Sequence, residues 1–125
     1  MSASSEAFFE LETAVLQSQQ QRSNPMKQHR IYCGLIAPNM TESEAEQVAR
    51  QLALEFFPNG HTIFQAEGVW AGAMVQCKEK TIVVEVWGGA GFGEPNVNGF
   101  AGAYKTRAEQ EAVVVITQQV EGAVI

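Results

Sequence analysis

Three carboxylates and two tryptophans fall within one stretch, HTIFQAEGVWAGAMVQCKEKTIVVEVW: Glu67, Glu79 and Glu85 with Trp70 and Trp87. Side chains alternate between faces along a strand. Read that way, Ile82, Val84 and Val86 share one face of a strand, and Thr81, Val83, Glu85 and Trp87 share the other. Most strand glutamates are simply solvated. Three in one hairpin beside aromatic rings also suit a cation, which a carboxylate pairs with and a ring face attracts. Other chemistries find little to work with. No Ser-His-acid set presents itself, Cys33 and Cys77 make no CxxC, and the two histidines, His29 and His61, lie far apart. That leaves zinc short of ligands, so no metal or cofactor is expected. Both cysteines read as reduced thiols in or near the core, His29 as a residue at a strand end, and His61 as a turn residue.

The charge balance narrows the partners. All 14 acidic residues are Glu, against 8 Lys and Arg, for a net charge of −6. Phosphate-backbone binding relies on clustered Lys and Arg, so nucleic acid is not an expected partner. No stretch is long and apolar enough to span a bilayer. Glu6, Glu10 and Glu12 near the start do not fit the basic opening of a signal peptide. A membrane partner is therefore not expected either, and a cytoplasmic location is.

Two strands, a helix and their turns must position this stretch. At 125 residues, 46% of them hydrophobic, the chain suffices for one domain with a real core. Residues 1–25 differ in composition: Phe8, Leu11, Val15 and Leu16 lie near helical spacing, followed by a Gln-rich run to Pro25. They are expected to form a helix and linker, with the domain proper at 26–125. Ile31–Ile36 reads as a first strand, ended by Ala37-Pro38-Asn39. Thr41 and Glu44 have the spacing of a capping box, and Ala45, Val48, Ala49, Leu52 and Phe56 then repeat on one helical face. Pro58-Asn59-Gly60 stops that helix. A second strand begins near His61 and is broken around Trp70 by Gly68 and Gly72; a third runs from Lys80 to Trp87. Val97, Phe100, Ala101, Tyr104 and Ala108 give a second helix. Ala112 to Thr117 is an apolar β-branched run of the kind expected of a central strand covered on both faces. The order is β-α-β-β-α-β, an α+β ferredoxin-like plan: a four-stranded antiparallel sheet with both helices on one face. The other face is bare in a single chain, and the mixed Val83, Glu85 and Trp87 face asks for a partner chain or a ligand.

The loop Gly88 to Gly93, GGAGFG, follows a strand and precedes a helix, the setting of a nucleotide-binding turn. The chain is too short for the doubly wound fold that uses it, and no acidic residue follows on a next strand. A mobile loop, or one closing over a ligand, is the better expectation.

Two resemblances arise. Ile31-Tyr-Cys-Gly-Leu35, Phe57-Pro-Asn-Gly60, Gly68-Val-Trp70 and Glu79-Lys-Thr-Ile-Val83 are similar to a family of small bacterial proteins of unknown function, over roughly residues 30–120, which implies only the fold. Glu79-Lys-Thr-Ile-Val-Val-Glu-Val86, followed by a helix and the Val-rich strand Glu111–Ile116, resembles the phage-encoded S-adenosylmethionine lyases, once called hydrolases. These destroy a cofactor of host restriction and modification. The resemblance implies cleavage of S-adenosylmethionine to methylthioadenosine and homoserine lactone, an anti-restriction role, and a homotrimer with sites between subunits. It assigns the catalytic role to Glu79. Glu67, Tyr32, Glu85 and Trp87 are added by position as substrate-binding residues. The N-terminal segment and the Gly-rich loop depart from that family's pattern. A non-catalytic module that sequesters a nucleotide-like ligand is the rival expectation, and a purely structural oligomer a third.

Overall fold

The computed structural model describes residues 25–71, 76–89, 91–123 and 125. The helix expected within residues 1–24, the break at Gly72 and the side chains of Trp70 and Cys77 lie outside the described residues. Six elements follow in chain order: β1 (Pro25–Gly34), α1 (Glu42–Phe56), β2 (Thr62–Ala71), β3 (Gln76–Gly88), α2 (Val97–Arg107) and β4 (Val114–Glu121). The strands form one antiparallel sheet in the order β2-β3-β1-β4, the ferredoxin-like arrangement.

Period-2 alternation builds the core. Ile31 and Cys33 of β1 and Ile82, Val84 and Val86 of β3 turn to the helices, where Ala45, Ala49, Leu52 and Ala53 of α1 meet Phe100 and Tyr104 of α2. The small residues of α1 let that helix lie close to the sheet. Phe100 fills the junction, with its ring edge-on to Phe56 at 6.3 Å and tilted against Phe57 at 5.2 Å. The start of α1 is fixed as its sequence requires: Thr41 Oγ1 accepts from the Glu44 N–H at 3.1 Å, and Glu44 Oε1 accepts from the Thr41 N–H at 2.8 Å. Asn96 caps α2 in the same manner, accepting from the Gly99 N–H.

Three expectations are corrected. The β-branched run after residue 112 forms an edge strand, β4, with Val114 and Ile116 exposed, while β3 and β1 hold the centre. Branched apolar residues favour strands of either kind, so the run cannot report its neighbours. β2 continues through Gly68 to Ala71, because pairing with β3 outweighs the weak strand preference of one glycine. His29 lies mid-strand and buried, its Nδ1 2.9 Å from Thr117 Oγ1 across β4, and burial pushes its pKa down.

Candidate functional site

The end of the sheet near Gly34 is where the carboxylate assigned as catalytic lies. The last bond between β1 and β3 runs from the Leu35 N–H to the Lys80 carbonyl at 3.0 Å, after which β1 turns away toward α1. β3 residues before Lys80 pair only with β2, Glu79 opposite Gly68. The departure of β1 leaves room beside Glu79, and its carboxylate folds over Gly34. A Cβ on residue 34 would overlap Glu79 Oε1 at less than any non-bonded separation, so this packing requires glycine there. The Ile36 N–H donates to the Glu79 carboxylate. Burial raises the pKa of Glu79 most; that N–H pulls it back, and the carboxylate of Glu42 adds to the rise. Tyr104 donates its hydroxyl to the Gly34 carbonyl, which closes the helix side of the same corner.

By strand alternation Glu79, Thr81, Val83, Glu85 and Trp87 share the face away from the helices. On that face a groove of about 320 Å³ is bordered by Tyr32, Ala66, Gly68, Thr81, Val114 and Ile116, with Glu67 at its rim. Gly68 and Thr81 are the cross-strand and same-face neighbours of Glu79, so the groove leads to it. Val83 is buried on this face, flanked in register by Tyr32 and Phe64. A larger concavity of about 770 Å³ lies between α1 and β2, but it is wide and polar, and its Glu46 is already paired with Arg50 at 2.9 Å. The apolar groove is the better site for a small molecule, since such sites are mostly apolar with a few placed polar groups.

The residues named from sequence do not all meet. Tyr32 and Glu67 line the groove; Glu79 is not among its lining residues but neighbours two that are, Gly68 across the strands and Thr81 along β3. Glu85 is six residues farther along β3, and its Oε2 accepts from Gln28 Nε2 at 3.0 Å and Arg30 Nε at 2.9 Å. Gln118 Nε2 in turn donates to Gln28 Oε1 at 2.6 Å, so a polar ladder crosses β4, β1 and β3. Arg30 also bonds the Tyr32 side chain and lies over the Phe64 ring at 5.8 Å. Arg30 thus lies between Glu85 and Tyr32. Trp87 is eight residues from Glu79, ~26 Å at the strand rise, so within one chain the two cannot touch one small ligand. Gly34, Tyr104 and the Ile36 main chain around Glu79 carry no motif that sequence reasoning could have found. Among the described residues no group of three or more His, Cys, Asp or Glu lies close enough to hold a metal ion, and no helix is long and apolar enough to cross a membrane.

Comparison with known proteins gives a family and a fold. The model of a family described as a protein of unknown function (DUF3574) matches residues 28–123. No functionally curated protein matches the sequence. Among solved structures, a phage SAM lyase in its apo state superposes with a TM-score of 0.52 at 19% identity, over 79% of this chain and 86% of that one. A phage SAM lyase in complex with S-methyl-5′-thioadenosine gives 0.56 at 16%, over 79% and 90%. CPII, a nitrogen regulatory PII-like protein from Thiomonas intermedia K12 bound to ADP, AMP and bicarbonate, gives 0.49 at 14%, over 83% and 99%. For the two lyase structures, at 19% and 16% identity, the likeness is one of fold.

Proposed function

We infer, for a chain that belongs to the DUF3574 family of proteins of unknown function, that it cleaves S-adenosylmethionine as a lyase. The observation that carries this reading is the setting of Glu79: a half-buried carboxylate, fixed by a backbone N–H, on a strand position next to Gly68 and Thr81, which line an apolar groove. The fold that surrounds it is one in which a phage SAM lyase holds methylthioadenosine.

The chemistry asks little of the protein. The substrate's carboxylate oxygen attacks its own γ-carbon, and the bond from that carbon to the sulfonium sulfur breaks. Sulfur leaves with the electron pair as the neutral thioether methylthioadenosine, and the other product is homoserine lactone. No proton is transferred, so no general base is needed. The enzyme folds the methionine arm and removes water from the attacking carboxylate, and such positioning is worth up to ~7–11 kcal/mol. Glu79 grips the α-ammonium and so aims the arm. Tyr32, held by Arg30 and Glu85, offers its ring to the adenosine, and Glu67 sits at the rim. The exposed Phe64, Val114 and Ile116 of the open face are covered by a second copy in a homotrimer, which brings Trp87 of one subunit toward the groove of another. The biological role that follows is depletion of S-adenosylmethionine, as in defence against restriction.

Incubation with S-adenosylmethionine, followed by chromatography for methylthioadenosine and homoserine lactone, tests the reading. Enzyme-dependent release of both products is the expected result. Binding of adenosine-type ligands without cleavage would leave a sequestering module instead.

A further inference from the structure

Gln110 ends the turn after α2, far in sequence from Glu79, and its side-chain amide faces the same corner. Its Nε2 donates to the Ile36 carbonyl at 2.8 Å and to the Ala108 carbonyl at 3.1 Å. Those two bonds use both amide hydrogens and settle which way the group points, since a flipped amide would set its oxygen against two carbonyls. Oε1 is thereby turned the other way, 3.0 Å from the point where a Cβ of Gly34 would lie. The Glu79 carboxylate crowds that same point. One residue clamps both groups: the Ile36 N–H holds Glu79 and the Ile36 carbonyl holds Gln110.

Two oxygens, one of a carboxylate and one of an amide, therefore converge over Gly34, and a second carboxylate, Glu42, bears on the place electrostatically. Gly34 cannot supply a donor from a side chain, and its carbonyl is already bonded by Tyr104. With Glu79 ionised, neither oxygen carries a hydrogen, and facing acceptors repel unless a donor lies between them. A primary ammonium fits: it is cationic, compact and carries three N–H donors. A sulfonium has the charge but no donor.

We propose that Gln110 and Glu79 together form a subsite for a primary ammonium group above Gly34, with Gln110 as a substrate-binding residue. This rests on the lyase reading only for the identity of the ligand, the α-amino group of a nucleoside-linked amino acid; the acceptor pair itself does not depend on it. Gly34 is a positioning residue, whose lack of a side chain lets the carboxylate reach the subsite.

Calorimetric titration of the full chain with two probes tests this. S-adenosylhomocysteine has the ammonium but no sulfonium, so it is not cleaved; methylthioadenosine lacks the amino-acid arm. The wild type is expected to bind S-adenosylhomocysteine at least tenfold more tightly. Gln110→Ala should weaken S-adenosylhomocysteine about tenfold, one hydrogen bond to a charged group, and leave methylthioadenosine unchanged. Gly34→Ala adds only a methyl group, displaces the Glu79 carboxylate and should abolish the preference; it serves if the loss of two carbonyl bonds unfolds the Gln110 variant. Equal binding of the probes by the wild type, or no binding of S-adenosylhomocysteine, overturns the subsite, as does a folded variant of either residue that keeps the full preference. A preference without cleavage of S-adenosylmethionine upholds the subsite and removes the lyase reading. Cleavage with no preference removes the subsite alone.

Discussion

Replacing Glu79 by Gln should separate activity from stability, in opposite directions. The variant keeps the shape of the side chain and loses its charge. A hydrogen bond to a charged group is worth ~1.5–3 kcal/mol, so at ~1.4 kcal/mol per decade kcat/KM for S-adenosylmethionine should fall by ~10–150-fold from that bond alone. Misalignment of the methionine arm adds to the loss. Stability responds otherwise. Burial, with Glu42 acting in the same sense, holds the pKa of Glu79 above its ordinary value despite the Ile36 N–H. A group whose pKa is raised by folding contributes its full stability below its unfolded pKa, ~4.3 for Glu, and that contribution is lost as pH rises through the folded value. At neutral pH the wild type therefore carries the cost of a half-buried carboxylate, and the Gln variant does not. Its melting temperature should equal or exceed that of the wild type at pH 7, with the gap closing toward pH 4. Methylthioadenosine release and thermal melts by circular dichroism at both pH values measure the two effects. Full turnover in the folded variant refutes the catalytic assignment. A variant that melts well below the wild type at pH 7 refutes the linkage argument.

Three further outcomes follow from the architecture. Light scattering at micromolar concentration should give a trimer of the 13.6 kDa chain, and Ile116→Glu, which puts a charge on the exposed apolar face of β4, should dissociate it; a wild-type monomer would remove the intersubunit site. A chain beginning at Met26, which is buried and pairs with Val120, should retain a cooperative melt, whereas a molten or insoluble product would make residues 1–25 part of the core. Thr41→Ala should cost ~1 kcal/mol in urea denaturation with unchanged slope, since it removes one half of the α1 capping box; an unmoved midpoint would show that the box does not stabilise the helix.

The sequence alone determined most of the local structure, because its signals act over a few residues. Thr41 and Glu44 are three apart and cap their own helix, Pro58-Asn59-Gly60 stops it, and the alternation from Thr81 to Trp87 sorts β3 into a core face and an open face. From these the order of elements and the ferredoxin-like plan followed. Tertiary structure decided the rest, since it depends on which strands become neighbours. An apolar run such as Val113–Ile116 has the same local preference at an edge as at the centre, and only the β2-β3-β1-β4 order exposes it. The partners of Glu85 come from β1, Glu79 is held at the Gly34–Ile36 corner, and the turn after α2 brings the Gln110 oxygen to the same glycine. Gln110 carries no motif. Its role arises because β1 leaves the sheet at Leu35 and the turn leading to β4 passes beside that gap, bringing an amide 31 residues away from Glu79 in sequence to the same glycine. Spacing along a chain reports periodicity; the meeting of two oxygens over one Cα requires the folded sheet.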